Sequence, residues 1–253
     1  MSTVQSVTRA LSILNVLAEH PNGIKITTLA TELGLSKATV HRLLATLISS
    51  NYVRQDPETE RYKIGYQIVT LATHFLNHFD LIEVSKPHLT KLSAEINETV
   101  HLCIEDQGQA LYIDKIESTQ PIAMYSRIGT RAPMYCTAVG KVLLSGMNSL
   151  ECDQVINKTP LKKITSQTID SIATLKEEIE LVKKQKFAID EQEITEGVRC
   201  LAFPLVDNKG KIVASFSVSG PINRLTEGYV QGSLKEKMSI TANNISRELG
   251  SIS

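Results

Sequence analysis

Phosphate chemistry is the first possibility the sequence offers, through the Gly-Lys pair of Ala138-Val139-Gly140-Lys141, because a P-loop cradles phosphates in a glycine-rich turn that ends in lysine. The spacing refuses it. The first glycine of such a loop would fall at Tyr135, and Val142 stands where a Ser or Thr should hold magnesium. The stretch reads better as a loop entering a helix, whose unpaired backbone N–H groups attract a carboxylate. His74 and His78 have the i, i+4 spacing of a metal pair, but no Glu lies between them as a zinc protease would require, and surface histidines on a helix are the simpler reading. Cys200 would act as a nucleophile only beside a base. His88 and His101, the histidines of the C-terminal part, sit in no catalytic signature, and a buried cysteine is commonly an apolar filler. Arg42 offers different chemistry, because a guanidinium grips the O6 and N7 edge of guanine with paired hydrogen bonds.

Arg42 can do this only if a helix carries it into the major groove, and the elements around it are of the right kind. Residues 4 to 18 place Val4, Val7, Ala10, Leu11, Leu14, Leu17 and Ala18 on one helical stripe that stops at Pro21-Asn22-Gly23. A short second period, Leu29, Ala30 and Leu33, ends at Gly34, and Ser36 is a good N-cap for a third helix with Val40, Leu43, Leu44, Leu47 and Ile48 facing one way. Ala30, Gly34 and Val40 together define a helix-turn-helix: the small residue lets the helices approach, the glycine permits the left-handed turn, and the valine locks the second helix onto the first. With Val40 inward, a rotation of one hundred degrees per residue turns Ala38, Arg42, Ala45 and Ser49 outward, with Thr39 and His41 at the edges. The segments around 52–54 and 61–64 are strand-prone across a polar turn-rich stretch, which predicts a hairpin wing carrying Arg61 and Lys63.

Downstream, residues 66 to 79 read as a linker helix with an apolar stripe of Ile68, Leu71, Ala72 and Phe75, and a helical pattern resumes from Asp80 to Ile96. Strands are expected at 99–105, 110–117, 121–126, 201–206 and 212–218, helices near 137–146, 171–186 and 227–249. The fold class is therefore α+β, with a mostly antiparallel sheet behind a winged helix-turn-helix. The expected divisions are a DNA-binding domain over 1–66, the linker helix over 67–80 and a second domain over 81–253.

Composition limits the alternatives. The chain has 253 residues, 42% apolar and 21% charged, with 27 basic against 27 acidic side chains, enough for two modest cores and too balanced for indiscriminate polyanion binding. Residues 1–66 hold seven Lys or Arg against five Asp or Glu, net +2, and the rest hold twenty against twenty-two, net −2. The basic excess sits with the helix-turn-helix. Four scattered cysteines form no CxxC pair, the first nine residues have no apolar leader, and no run of eighteen apolar residues exists, which predicts a cytoplasmic protein with no membrane partner.

With these residues in view, the sequence resembles the IclR-type transcription regulators over nearly its whole length. Val4 to Leu11 is similar to that family's opening helix and Leu35-Ser36-Lys37-Ala38-Thr39-Val40-His41-Arg42-Leu43-Leu44 to its recognition helix. Asp114-Lys115-Ile116-Glu117, Arg127-Ile128-Gly129, Ala138-Val139-Gly140-Lys141 and Glu196-Gly197-Val198-Arg199-Cys200 are similar to its effector-domain motifs. Residues 124–144 and 190–207 look most like members that sense 2-keto-3-deoxygluconate. The resemblance implies a winged helix, a dimerising linker, a GAF-like effector domain, and binding of double-stranded, palindromic operator DNA as a homodimer or dimer of dimers. It implies DNA contacts from Gln5, Ser6, Arg9, Ser36, Lys37, Ala38, Thr39, His41, Arg42, Arg61 and Lys63. It further implies that a small carboxylate or keto sugar-acid effector is held by Ala138, Val139, Asp190, Cys200, Ser217 and Ser219, with no catalytic residue and no cofactor assigned. Alternation puts Ser217 and Ser219 on one face of their strand, which with Ser215 is either a pocket wall or a plain solvent face. Asp190 beside an anionic ligand either accepts hydrogen bonds from ligand hydroxyls or shares a metal with Cys136 or Cys200. The expected function is a DNA-binding regulator, expected to be a repressor, of an operon for sugar-acid or small organic acid catabolism. The rival is an enzyme acting on a small acid through Cys200 or a metal, with an accessory DNA-binding module.

Overall fold

The computed structural model describes residues 4–77, 80–120 and 126–251, and the side chains of 74–77 and 80 are not described. The chain divides into two compact units, Met1–Phe79 and Asp80–Ser253.

In the first unit, α1 (Gln5–Glu19), α2 (Ile26–Glu32) and α3 (Lys37–Ser49) converge on Ile13, Leu17, Leu29, Ala30, Val40 and Leu44. Each large aliphatic side chain removed from water here contributes about 1.5–3 kcal/mol. Gly34 takes a φ of +63°, the left-handed turn between α2 and α3, and the Leu35 N–H then bonds the Ala30 carbonyl at 3.0 Å. The Ser36 hydroxyl accepts the Thr39 N–H at 3.2 Å and caps α3. β1 (Val53–Gln55) and β2 (Tyr62–Ile64) form the antiparallel wing, with Val53 opposite Ile64. Asp56 accepts the N–H groups of Glu58 and Thr59 in its turn, both at 3.1 Å. These bonds, Thr59 first, hold its carboxyl down at about 2. The linker helix is α4 (Gln67–Asn77).

The second unit is a six-stranded sheet in the order β5-β4-β3-β8-β7-β6, antiparallel at every pairing. Its strands are β3 (Thr99–Asp106), β4 (Gln109–Ile116), β5 (Arg131–Pro133), β6 (Ala188–Glu191), β7 (Val198–Val206) and β8 (Ile212–Pro221). One face carries Val100, Leu102, Leu201, Phe203, Phe216 and Val218, as the period of two requires. α5 (Asp80–Ile96) and α10 (Lys235–Glu248) cover it, and the Ser246 hydroxyl accepts the Val206 N–H at 3.1 Å. The opposite face packs under α6 (Ala138–Ser145) and α8 (Ile172–Gln185). α7 (Ser149–Lys158) follows α6 behind a capping box between Asn148 and Glu151. The short α9 (Glu227–Tyr229) runs through a π-helical turn, Val230–Leu234, into α10, so the single closing helix expected over 227–249 is kinked at Gly232. Residues 121–125 of the strand expected over 121–126 lie outside the described residues, as does His78. α7, β5 and β6 have no counterpart among the sequence-based expectations.

Candidate functional site

On α3, Ala38, His41, Arg42, Ala45 and Ser49 are all exposed, while Val40 is fully buried. Ser36 and Lys37 are exposed at its start and Thr39 is half-buried; Gln5 and Ser6 are exposed on α1, with Arg9 half-buried. Ser6, Arg9, Thr39 and Arg42 line one groove of about 740 Å³ between α1 and α3, so residues far apart in sequence share one surface. The wing cations are less free. Arg61 donates to the Gly23 carbonyl at 2.9 Å, and the Lys63 ammonium lies 3.3 Å from Asp56.

In the second unit the register assembles the remaining residues. Asp190 pairs with Cys200 across β6 and β7, Cys200 with Ser219 across β7 and β8, and Ser217 with Ala202 on one side and His101 on the other. All lie on the α6 face of the sheet. Ser215, Ser217 and Ser219 are buried at 0%, 3% and 4% exposure, which overturns the solvent-face alternative for this strand. Ala138 and Val139 form the first turn of α6. Thr137 caps the helix by accepting the Gly140 N–H at 3.2 Å, so the amides of Ala138 and Val139 have no protein acceptor among the described residues. Gly140 is required by close approach: a Cβ there would stand 2.2 Å from the Met134 Cα.

Burial governs the electrostatics. Asp190, 1% exposed, has its carboxyl raised to about 7, chiefly by desolvation. The Glu193 N–H, donating to it at 2.7 Å, opposes the shift. Lys141, the residue that suggested a P-loop, is buried and its ammonium is taken up by protein acceptors. Its ammonium donates to Glu193 at 2.5 Å, to the Ile189 carbonyl at 3.0 Å and to Glu178 at 3.2 Å. Burial also raises the Cys200 thiol well above its ordinary value, with Asp190 adding to the shift. A thiol so held has almost no thiolate and makes a poor nucleophile. Among the described residues no three His, Cys, Asp or Glu side chains gather to hold a metal ion. His101 belongs to the same cluster and was not among the expected site residues. Its ring contacts Tyr112 edge-on at 5.1 Å, Ser126 Oγ lies 2.6 Å from Nε2, and Ser219 Oγ lies 3.4 Å from Nδ1. Burial first, and Lys115 second, lower its pKa to about 3, so the imidazole is neutral.

Comparison with known proteins places this geometry. The IclR helix-turn-helix domain matches residues 6–57, and the bacterial transcriptional regulator IclR C-terminal domain matches residues 73–247. The chain is 36% identical over 248 residues to the HTH-type transcriptional regulator KdgR of Dickeya chrysanthemi, covering 98% of this chain and 81% of that one. It is 33% identical over 229 residues to the transcriptional repressor IclR of Escherichia coli, covering 90% and 84%. The crystal structure of the Thermotoga maritima IclR superposes with a TM-score of 0.80 at 29% identity, over 97% of this chain and 99% of that one. These relatives are transcription regulators and not enzymes, which removes the enzymatic rival. No helix among the described residues is long and apolar enough to cross a membrane. Matched in both its domains and nearly end to end, the chain belongs to the IclR family of bacterial transcriptional regulators.

Proposed function

We propose that this regulator is a cytoplasmic, ligand-responsive repressor whose α3 enters the major groove of operator DNA and whose effector is a small keto acid bearing hydroxyls. The domains are 1–66 for DNA, 67–80 for the linker and 81–253 for the effector. Arg42 reads a base edge, Ala38 and Ala45 make room for it, and Gln5, Ser6, Arg9, Ser36, Lys37, Thr39 and His41 hold the backbone and the neighbouring bases. Arg61 and Lys63 contact phosphates from the wing. The protein acts as a homodimer or dimer of dimers, because one winged helix reads too few base pairs for a genomic search.

The observation that carries the effector reading is a buried polar cluster, Asp190, Cys200, Ser217 and Ser219, beside two helix-terminal amides without a protein acceptor among the described residues. A pocket needs converging polar groups of this kind, and the amides of Ala138 and Val139 suit a carboxylate. The serines and Asp190 suit the keto and hydroxyl oxygens beyond it. 2-Keto-3-deoxygluconate is the first candidate, by resemblance. The effector alters operator affinity only by preferring one dimer geometry, and linker packing is the element it biases. Calorimetric titration of 2-keto-3-deoxygluconate, gluconate, glyoxylate and pyruvate tests the reading. Losing one hydrogen bond to a charged ligand costs about 1.5–3 kcal/mol, so Ser219→Ala should raise the dissociation constant at least about tenfold with operator affinity of the free protein unchanged. Binding indifferent to Ser219, or absent for all four acids, would mean that the effector sits elsewhere.

A further inference from the structure

His101 stands in β3 and Ser219 in β8, and the two join Ser126, Cys200 and Asp190 in one line of polar groups. Ser126 Oγ is 2.6 Å from His101 Nε2, and His101 Nδ1 is 3.4 Å from Ser219 Oγ. Cys200 lies opposite Ser219 in the β7–β8 register and opposite Asp190 in the β6–β7 register, which sets its thiol beside both. Such a line has a direction. Each hydroxyl, thiol or neutral imidazole has one hydrogen to give and passes it along, whereas an ionised carboxylate only accepts.

The two ends agree on that direction. At one end, above about pH 7, the acceptor is the ionised Asp190. At the other, the Lys115 ammonium donates to the Ser126 carbonyl at 3.0 Å and to Glu117 at 2.9 Å. Lys115 is the cross-strand neighbour of His101, and its side chain is only 10% exposed. A cation beside the Ser126 end of the ring favours the lone pair there and the N–H at the far nitrogen. Ser126 then donates to Nε2, Nδ1–H donates to Ser219, the Ser219 hydroxyl points to Cys200, and the thiol points to Asp190.

We propose that His101, held as the Nδ1–H tautomer, is a further specificity-determining residue of this effector site. By filling an acceptor position of Ser219, it leaves the Ser219 hydroxyl as a hydrogen-bond donor for a keto or carboxylate oxygen. The assignment rests on the effector reading above. The ligand oxygen takes over the hydrogen that Ser219 otherwise gives to Cys200 sulfur, a weak acceptor, so the exchange favours binding. His101 acts through Ser219 and is a positioning residue.

Two measurements test it on the full-length protein. At pH 8, where Asp190 is ionised, a long-range proton–nitrogen correlation spectrum of protein labelled with 15N-histidine should show one signal set with its proton on Nδ1 that disappears in His101→Asn. Titration with 2-keto-3-deoxygluconate then separates variants of similar size. Asn places an amide N–H near the position of Nδ1 and should bind within about threefold of wild type, whereas Gln reaches toward Nε2 and should lose about tenfold. A proton on Nε2, an average of the two tautomers, or equal binding by Asn and Gln overturns the proposal. If the Nδ1–H tautomer is found and no keto acid binds wild type, the effector reading and the specificity role fall together, while the direction of the line stands. Keto-acid binding with an Nε2–H ring removes this inference alone.

Discussion

Asp190 makes the proposed effector site a proton-linked one, and the size of the linkage follows from its surroundings. In the effector-free protein burial raises its carboxyl from 3.8 to about 7. A carboxylate ligand docked on the Ala138 and Val139 amides adds a second negative charge nearby, which disfavours ionisation further. The complex is therefore expected to carry protonated Asp190. Below pH 7 the proton is already present and affinity is flat. Above it the proton must be taken up on binding, and each pH unit weakens affinity up to about tenfold, about 1.4 kcal/mol. From pH 6 to 8.5 the dissociation constant of 2-keto-3-deoxygluconate should rise about thirtyfold, and calorimetry in buffers of different ionisation enthalpy should show close to one proton absorbed at pH 8. Asp190→Asn should abolish both the slope and the proton. The sign for folding is the same: a raised acid contributes stability that is complete below 3.8 and lost as pH rises through about 7. Without effector, Asp190→Asn should therefore be more stable than wild type at pH 8. A slope that survives Asp190→Asn would assign the proton to Glu193, also raised by burial, and would refute the reasoning.

Further perturbations separate the parts. Arg42→Ala should cost about 1–3 kcal/mol on the operator and little on random DNA, whereas Lys63→Ala should weaken both and flatten the salt dependence; equal losses for Arg42→Ala on both DNAs would sink the recognition role. Leu71 is 48% exposed on α4, so Leu71→Asp should leave the subunit folded yet monomeric in sedimentation and without operator binding; a native monomer that binds its operator tightly would contradict the dimer. Lys141→Met strands Glu193 in the interior and should cost about 3–5 kcal/mol in urea unfolding of the second unit, with part of the loss recovered in Lys141→Met/Glu193→Leu; a change below about 1 kcal/mol would show that the buried pair is not needed.

The DNA-binding unit was legible because its information is local. Gly34 marks the turn, Ser36 the cap, and the 3.6-residue period of α3 places Arg42 outside and Val40 inside. The proposed effector site was legible only in part. Strand alternation puts Ser217 and Ser219 on one face but carries no information on whether a helix covers it, and the covering helices α6 and α8 come from other parts of the chain. His101 meets Ser219 only through the β3 and β8 pairing, so its isolated position in the sequence gave no hint. β5 and β6, of three and four residues at the sheet edges, are too short to show a period. α7 is different: the Asn148-x-x-Glu151 capping box is a readable start signal.

The pairing of β3 with β8, in which Thr99 lies opposite Ser219, also orders events during synthesis. The chain grows from its N-terminus, and every residue of the three helices and the wing is made before β3. The sheet's centre must wait for β8, and non-local strand pairings of this kind form late. For an interval each nascent chain carries every residue of its DNA-reading head and no sensor. A truncation anywhere between α4 and β8 makes that interval permanent, leaving a polypeptide that retains the recognition helix and lacks the proposed effector site.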